Sequence, residues 1–214
     1  MMKSIHAAGN SFCHLRSSNH IIKTNHTRNK MKKHENSLKD IRTVTTTALF
    51  TAALSVSSLF VIPLPFSPVV LSLQTVIVNL ISLTLRPLQS FYCVGVYLIM
   101  GAIGLPVFSG GTSGIGKLFG PTGGFYFGFL LSAVIMSLLK GKKADFKRYL
   151  TVTLLAGLPL QHICAVIVMC IHNGFDITAA FTSVSLPFVF GDVIKCTASA
   201  LIAVKMNKVI NKPL

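Results

Sequence analysis

Asp192 and Lys195 are the residues whose types and spacing most directly suggest chemistry. They stand three apart in LPFVFGDVIKCTASALIAV, a tract that is otherwise apolar. On a helix this spacing sets both on one face. An acid and a base at membrane depth are costly unless that face meets a polar cavity or another helix. Mutual neutralisation is the structural alternative; the rarity of such pairs favours a ligand site. With a helix starting near residue 187, the pair lies roughly 7 to 15 Å inside its outer end. Neither residue has a His or second carboxylate nearby in sequence, so no metal, proton relay or cofactor is expected.

A second group of candidates fills LPVFSGGTSGIGKLFGPTGG, residues 105–124. Its glycines, Gly110 and Gly111 above all, let backbone approach a ligand and offer it N–H and C=O groups. Their alternative role is merely to turn the chain. The same stretch matches G-x-x-x-x-G-K, but Leu118 stands where a Ser or Thr must hold magnesium, so nucleotide binding is not expected. Ser113 with His172 raises an intramembrane serine protease. Such a nucleophile should open a buried helix with its base in reach, and here residues 114–122 intervene before the next apolar helix. Tyr126 could wall an apolar pocket with one polar tip, although interfacial aromatics are usually anchors. Gln74 and Asn79 are polar at membrane depth and suit helix–helix hydrogen bonds. Lys117 suits snorkelling to headgroups. His162, beside Gln161 and just after Pro159, reads as the satisfied residue of a helix break rather than a ligand contact.

The elements that must carry these residues follow from composition. The 214 residues are 51% hydrophobic and 12% charged, with a mean hydropathy of +0.67, which excludes an ordinary soluble domain. Five cysteines, four of them in apolar tracts and none in C-x-x-C spacing, read as buried hydrophobes. Breaking the apolar tracts at Pro and Gly clusters predicts helices near 42–62, 69–85, 89–105, 123–139, 149–171 and 187–209. The expected fold is an all-α membrane protein, a six-transmembrane-helix bundle over 42–212, preceded by a basic, disordered cytoplasmic tail over 1–41. A start at Met31 is an alternative for that tail. With six spans, 18 of the 20 Lys and Arg residues fall on one side, which places both termini in the cytoplasm. The net charge of +15 is then a topology signal and no nucleic-acid partner is expected. In the first helix Ala48, Ala52 and Ser55 form a small-residue stripe, suited to packing within the chain or to docking another membrane protein.

Several strings, in order, resemble the BioY family, the biotin-specific S components of energy-coupling factor (ECF) transporters. They are ALFTAAL from Ala48, PLP from Pro63 followed by LQT at Leu73–Thr75, GAIGLPVFSGG at Gly101–Gly111, GPTGGF at Gly120–Phe125, and P-x-x-x-G-D-x-x-K at Pro187–Lys195. The resemblance covers essentially all of 42–210. It departs at the basic tail and at Thr112, where some members carry an amide. It implies a six-helix bundle of ECF S-component type, with a pocket near the outer face capped by the loops after the first and third helices. It also implies biotin capture, and transport energy from two ABC-type ATPases joined through a transmembrane coupling protein. The residues expected to meet biotin are Asp192, Lys195, Gly110, Gly111, Thr112, Tyr126 and Gln74, with Ala48 and Ala52 as the docking face. The chain is expected to catalyse no covalent change. A stand-alone vitamin carrier using the same pocket is the alternative.

Overall fold

A computed structural model describes residues 41–62, 71–141, 143–174, 181–182 and 188–210. The basic tail, apart from residue 41, and most of IPLPFSP lie outside them. The chain divides into two units, Met1–Thr45 and Thr46–Leu214. In the first, residues 41–45 are helical, and the Thr45 hydroxyl donates to the Ile41 carbonyl at 3.0 Å.

The second unit opens with helix α1 over 46–57. Its end is marked by serines: Ser57 and Ser58 donate back to the Leu54 and Ser55 carbonyls at 2.7 Å each, an alternative to further helical bonds. Strand β1, Val61–Ile62, then pairs antiparallel with β2, Leu71–Ser72, with Val61 opposite Ser72 and Ile62 opposite Leu71. This hairpin corrects the expectation of helix up to 62 and again from 69. The β-branched Val61 and Ile62 suit a pleated pair, and the prolines between the strands cannot supply helical donors.

Helix α2, Gln74–Thr84, is central. It packs against α5, Gly123–Leu139, and against α8, Val189–Ile210. Its carbonyl end is covered by neighbouring side chains, which satisfy groups a helix terminus leaves open. Leu85 accepts from Ser137 at 2.6 Å and from the Lys140 ammonium. Leu83 accepts from Asn207 at 2.9 Å, and Asn207 also donates to the Tyr149 hydroxyl.

Helix α3, Pro87–Ala102, begins with Pro in its first turn, where a missing N–H costs nothing. The Arg86 amide donates to the Gln89 side chain at 3.0 Å, closing that end. After the glycine-rich loop and the single-turn α4, Ile115–Leu118, helix α5 packs on α3 and, most extensively, on α7, Leu158–Asn173. Close approach explains two glycines there: a Cβ on Gly124 would stand 2.3 Å from the Cys164 carbonyl oxygen, and one on Gly128 2.9 Å from the Gln161 Cα.

Helix α6, Phe146–Val152, runs through a π-helical turn, Thr153–Gly157, directly into α7. Pro159 lacks the N–H that regular α geometry would use, and a wider turn just before it absorbs the mismatch. The helical run is therefore longer at its start than the predicted 149–171. Among the described residues only Phe146–His172 is both long and apolar enough to cross a bilayer unaided, while α2, α3 and α5 are apolar but shorter. One apolar core joins Leu54 of α1 to Val78, Val94, Tyr97, Phe108 and Phe129, and another gathers Leu80, Leu83, Tyr149, Ala200 and Ala203.

Candidate functional site

Asp192 sits in the first turn of α8, where its backbone N–H donates to the Phe188 carbonyl at 2.8 Å. The pair is thus nearer the described helix start than the sequence reading placed it. Lys195 Nζ donates to Asp192 Oδ1 at 3.0 Å, and both side chains are nearly nine-tenths buried. Thr75 and Asn79 of α2, Leu158 and Gln161 of α7, and Cys196 line a cavity with them. The cavity measures about 10 Å³, room for no more than one water molecule.

Each wall of that cavity is held differently. Gln161 donates to Ser132 of α5 at 3.1 Å. The Asn79 amide N–H lies 3.6 Å from Cys196 Sγ, while its Oδ1 is buried without a hydrogen-bond partner among the described residues. His162 adjoins the cluster from behind, with Nε2 3.4 Å from Asp192 Oδ2. That distance falls in ion-pair range, yet no hydrogen bond joins the two atoms. The His162 Nδ1 edge lies 3.0 Å from the Leu158 carbonyl, and Phe125 meets the ring edge-on. The expectation of a satisfied helix-break histidine therefore holds for one ring nitrogen and fails for the other. Beyond the imidazole lies an apolar groove of about 320 Å³ lined by Leu158, Pro159, Ile163, Val166, Phe181 and Val189.

The glycine-rich loop forms a separate polar knot. Gly110 and Gly111 have φ of 75° and 71°, the left-handed region open to glycine. They reverse the chain so that the Phe108 N–H reaches the Thr112 carbonyl at 2.9 Å and the Gly110 N–H reaches the Ser58 carbonyl at 2.8 Å. Ser109 then ties the loop to α2 and α5. Its hydroxyl donates to Gln74 Oε1 at 2.9 Å and its N–H donates to the Tyr126 hydroxyl at 3.1 Å. Gln74 Nε2 in turn donates to the Tyr97 hydroxyl at 2.5 Å. Phe108, fully buried, stacks on Tyr126 with ring centroids 4.4 Å apart and meets Tyr97 edge-on.

Of the residues named from sequence, Asp192 and Lys195 are brought together, and Gln74, Tyr126, Gly110, Gly111 and Thr112 form the loop knot. The polar capacity of Gln74 is spent within that knot, and the exposed Thr112 turns its hydroxyl to the Ser109 carbonyl at 3.0 Å. Ser113 is exposed in the loop, not in a buried helix opening, and α4, which the G-x-x-x-x-G-K string enters, has four residues. Among the described residues no group of three or more His, Cys, Asp or Glu side chains could hold a metal ion. Sequence reasoning passed over Thr75, Gln161 and Ser109 and discounted Asn79 and His162 as ligand contacts. Apart from Ser109, which lies in the loop, a polar residue on an otherwise apolar helix is the one signal available for them.

The BioY family model matches residues 27–212. The chain belongs to the BioY family. It is 38% identical to the biotin transporter BioY of Thermotoga maritima, over 75% of this chain and 92% of that protein. It is 35% identical to the probable biotin transporter BioY of Pyrococcus horikoshii, over 77% and 95%. The crystal structure of the S component for biotin from an ECF-type ABC transporter superposes with a TM-score of 0.72 at 26% identity, covering 79% of this chain and 93% of that one. Two of the BioY-like strings thus fall on the features just described, the GLPVFSGG loop on the polar knot and the G-D-x-x-K string on the start of α8.

Proposed function

We propose that this chain captures biotin as the substrate-binding subunit of an ECF-type transporter in the cytoplasmic membrane, performing no covalent chemistry. The observation that carries the proposal is the buried Asp192–Lys195 pair. A urea presents two N–H donors and one carbonyl, which an ionised Asp can accept from and a Lys can donate to. The site's net neutrality suits a neutral head group, and the apolar groove beside His162 suits the apolar remainder of such a ligand. The Lys195–Asp192 bond occupies the groups the urea would use, so capture exchanges one set of hydrogen bonds for another.

Large apolar side chains on the outside support the membrane setting: Ile99, Ile163, Ile171 and Ile194 are all more than half exposed, a pattern that lipid rather than water favours. Six spans with both termini cytoplasmic collect 18 of 20 basic residues on the inner side. Gly110, Gly111, Thr112, Tyr126 and Gln74 then form and tether the cap over the outer end of the site. Ala48 and Ala52, both exposed, offer a flat strip to the coupling protein that links the subunit to its two ATPases.

Equilibrium binding of labelled biotin to the detergent-purified full chain tests the reading. Wild type should bind tightly and in preference to lipoate. Asp192→Ala should lose about a hundredfold or more, the scale of losing charge-assisted hydrogen bonds, while still inserting and remaining monodisperse. No binding by a well-folded wild type would remove the biotin assignment.

A further inference from the structure

His162 is buried, and the placement of its ring sets its tautomer. Nδ1 faces the Leu158 carbonyl at 3.0 Å, an acceptor, so in a neutral ring the proton belongs on Nδ1. Nε2 is then left as an acceptor, and it has no hydrogen-bond partner among the described residues. It lies 3.4 Å from Asp192 Oδ2, and a carboxylate oxygen can only accept. Nearby, Asn79 Oδ1 is a further buried acceptor with no donor among the described residues, on a side chain that lines the cavity. Buried polar atoms rarely go without partners, and each such atom calls for an explanation. Here the excess is all of one kind: acceptors from α2, α7 and α8 gather where Lys195 is the charged donor. Such a site is complementary to a ligand with more than one N–H and a single carbonyl.

We propose that His162, in its Nδ1–H tautomer, is a substrate-binding residue whose Nε2 accepts a ligand N–H beside Asp192. The inference rests on the biotin reading and adds to the urea contacts of α8 one from a second helix, α7. On entry of the urea, one N–H takes up the acceptor edge shared by His162 and Asp192, and Lys195 turns from Asp192 to the urea carbonyl. The imidazole also lines the apolar groove, where the other described lining residues offer it no polar side chain.

The test pairs a change in the protein with a change in the ligand. Biotin and its two N-monomethylated ureas, each lacking one donor, are titrated into wild type, His162→Phe and His162→Gln, all as purified full chains. Phe keeps the ring without the acceptor; Gln restores an acceptor near the Nε2 position. Expected is a three- to tenfold loss for biotin in His162→Phe, about the value of one neutral hydrogen bond. Partial recovery is expected in His162→Gln. Against one of the two N-methyl ureas the difference between wild type and His162→Phe should vanish, because the donor is already gone. Unchanged or tighter biotin binding by His162→Phe overturns the proposal while leaving the biotin reading intact. An equal loss for all three ligands overturns it too, since that marks a packing role. Should His162→Phe fail to fold, His162→Gln and wild type carry the same comparison, and Gln must then retain the selectivity between the two methylated ureas. Failure of wild type to bind biotin at all fails the reading beneath, a distinct result.

Discussion

Lys140, just past the end of α5, donates to the Leu85 carbonyl, and burial pushes its ammonium down to about 8 from the 10.5 of an unburied lysine. The folded chain therefore releases this proton earlier than the unfolded chain does. Between pH 8 and 10.5 the unfolded state holds more protons, so stability contributed by this group rises with pH across that window. Thermal melting in detergent at stepped pH, wild type against Lys140→Met, should show the rise as a difference between the two proteins; parallel curves would mean that the ammonium is well hydrated. The residues that sequence exposes are of this charged kind. Asp192 and Lys195 stand out because nothing else in their tract is charged. His162, Asn79 and Gln161 do not, because a single polar side chain on an apolar helix acquires its role only when other helices converge on it. Gln74 is polar at membrane depth and suits helix–helix hydrogen bonds by sequence, and it makes one to Tyr97, but its partners Tyr97 and Ser109, 23 and 35 residues away in sequence, are not legible locally.

At the scale of elements, α5 and α7 approach closely enough that Gly124 has no room for a side chain. Gly124→Leu should overpack this contact and cost about 1 to 3 kcal/mol, read as a lowered melting temperature, with biotin binding reduced as Gln161 and His162 shift. An unchanged melting temperature would show that the two helices can separate freely. Each predicted helix overlaps an observed one, because long apolar tracts broken by Pro and Gly leave few alternatives. Their ends were less legible. The β1–β2 hairpin depends on pairing between residues about ten apart, which no local pattern declares. The π turn ends at Gly157, where Met136 of α5 packs so close that its Sδ would stand 2.4 Å from an added Cβ, a contact that no local pattern declares.

For the molecule as a whole, capture and transport place their demands on different surfaces. Ala48 and Ala52 lie exposed on α1, and the polar cavity is lined from α2, α7 and α8. Ala48→Leu with Ala52→Leu should leave equilibrium biotin binding within about twofold of wild type, as exposed substitutions usually do, and abolish biotin uptake by cells that supply the coupling protein and ATPases. Uptake that persists would place the docking face elsewhere.

The cavity beside Asp192 and Lys195 has room for about one water molecule. On the proposed reading a urea needs more room than that, so capture requires the cavity to open, and the apparent dissociation constant is the intrinsic one divided by the fraction of molecules that are open. Substitutions that loosen the Asp192–Lys195 bond without removing either charge therefore act on the opening equilibrium first. They can change how fast the vitamin is taken up while the grip of the filled site stays the same.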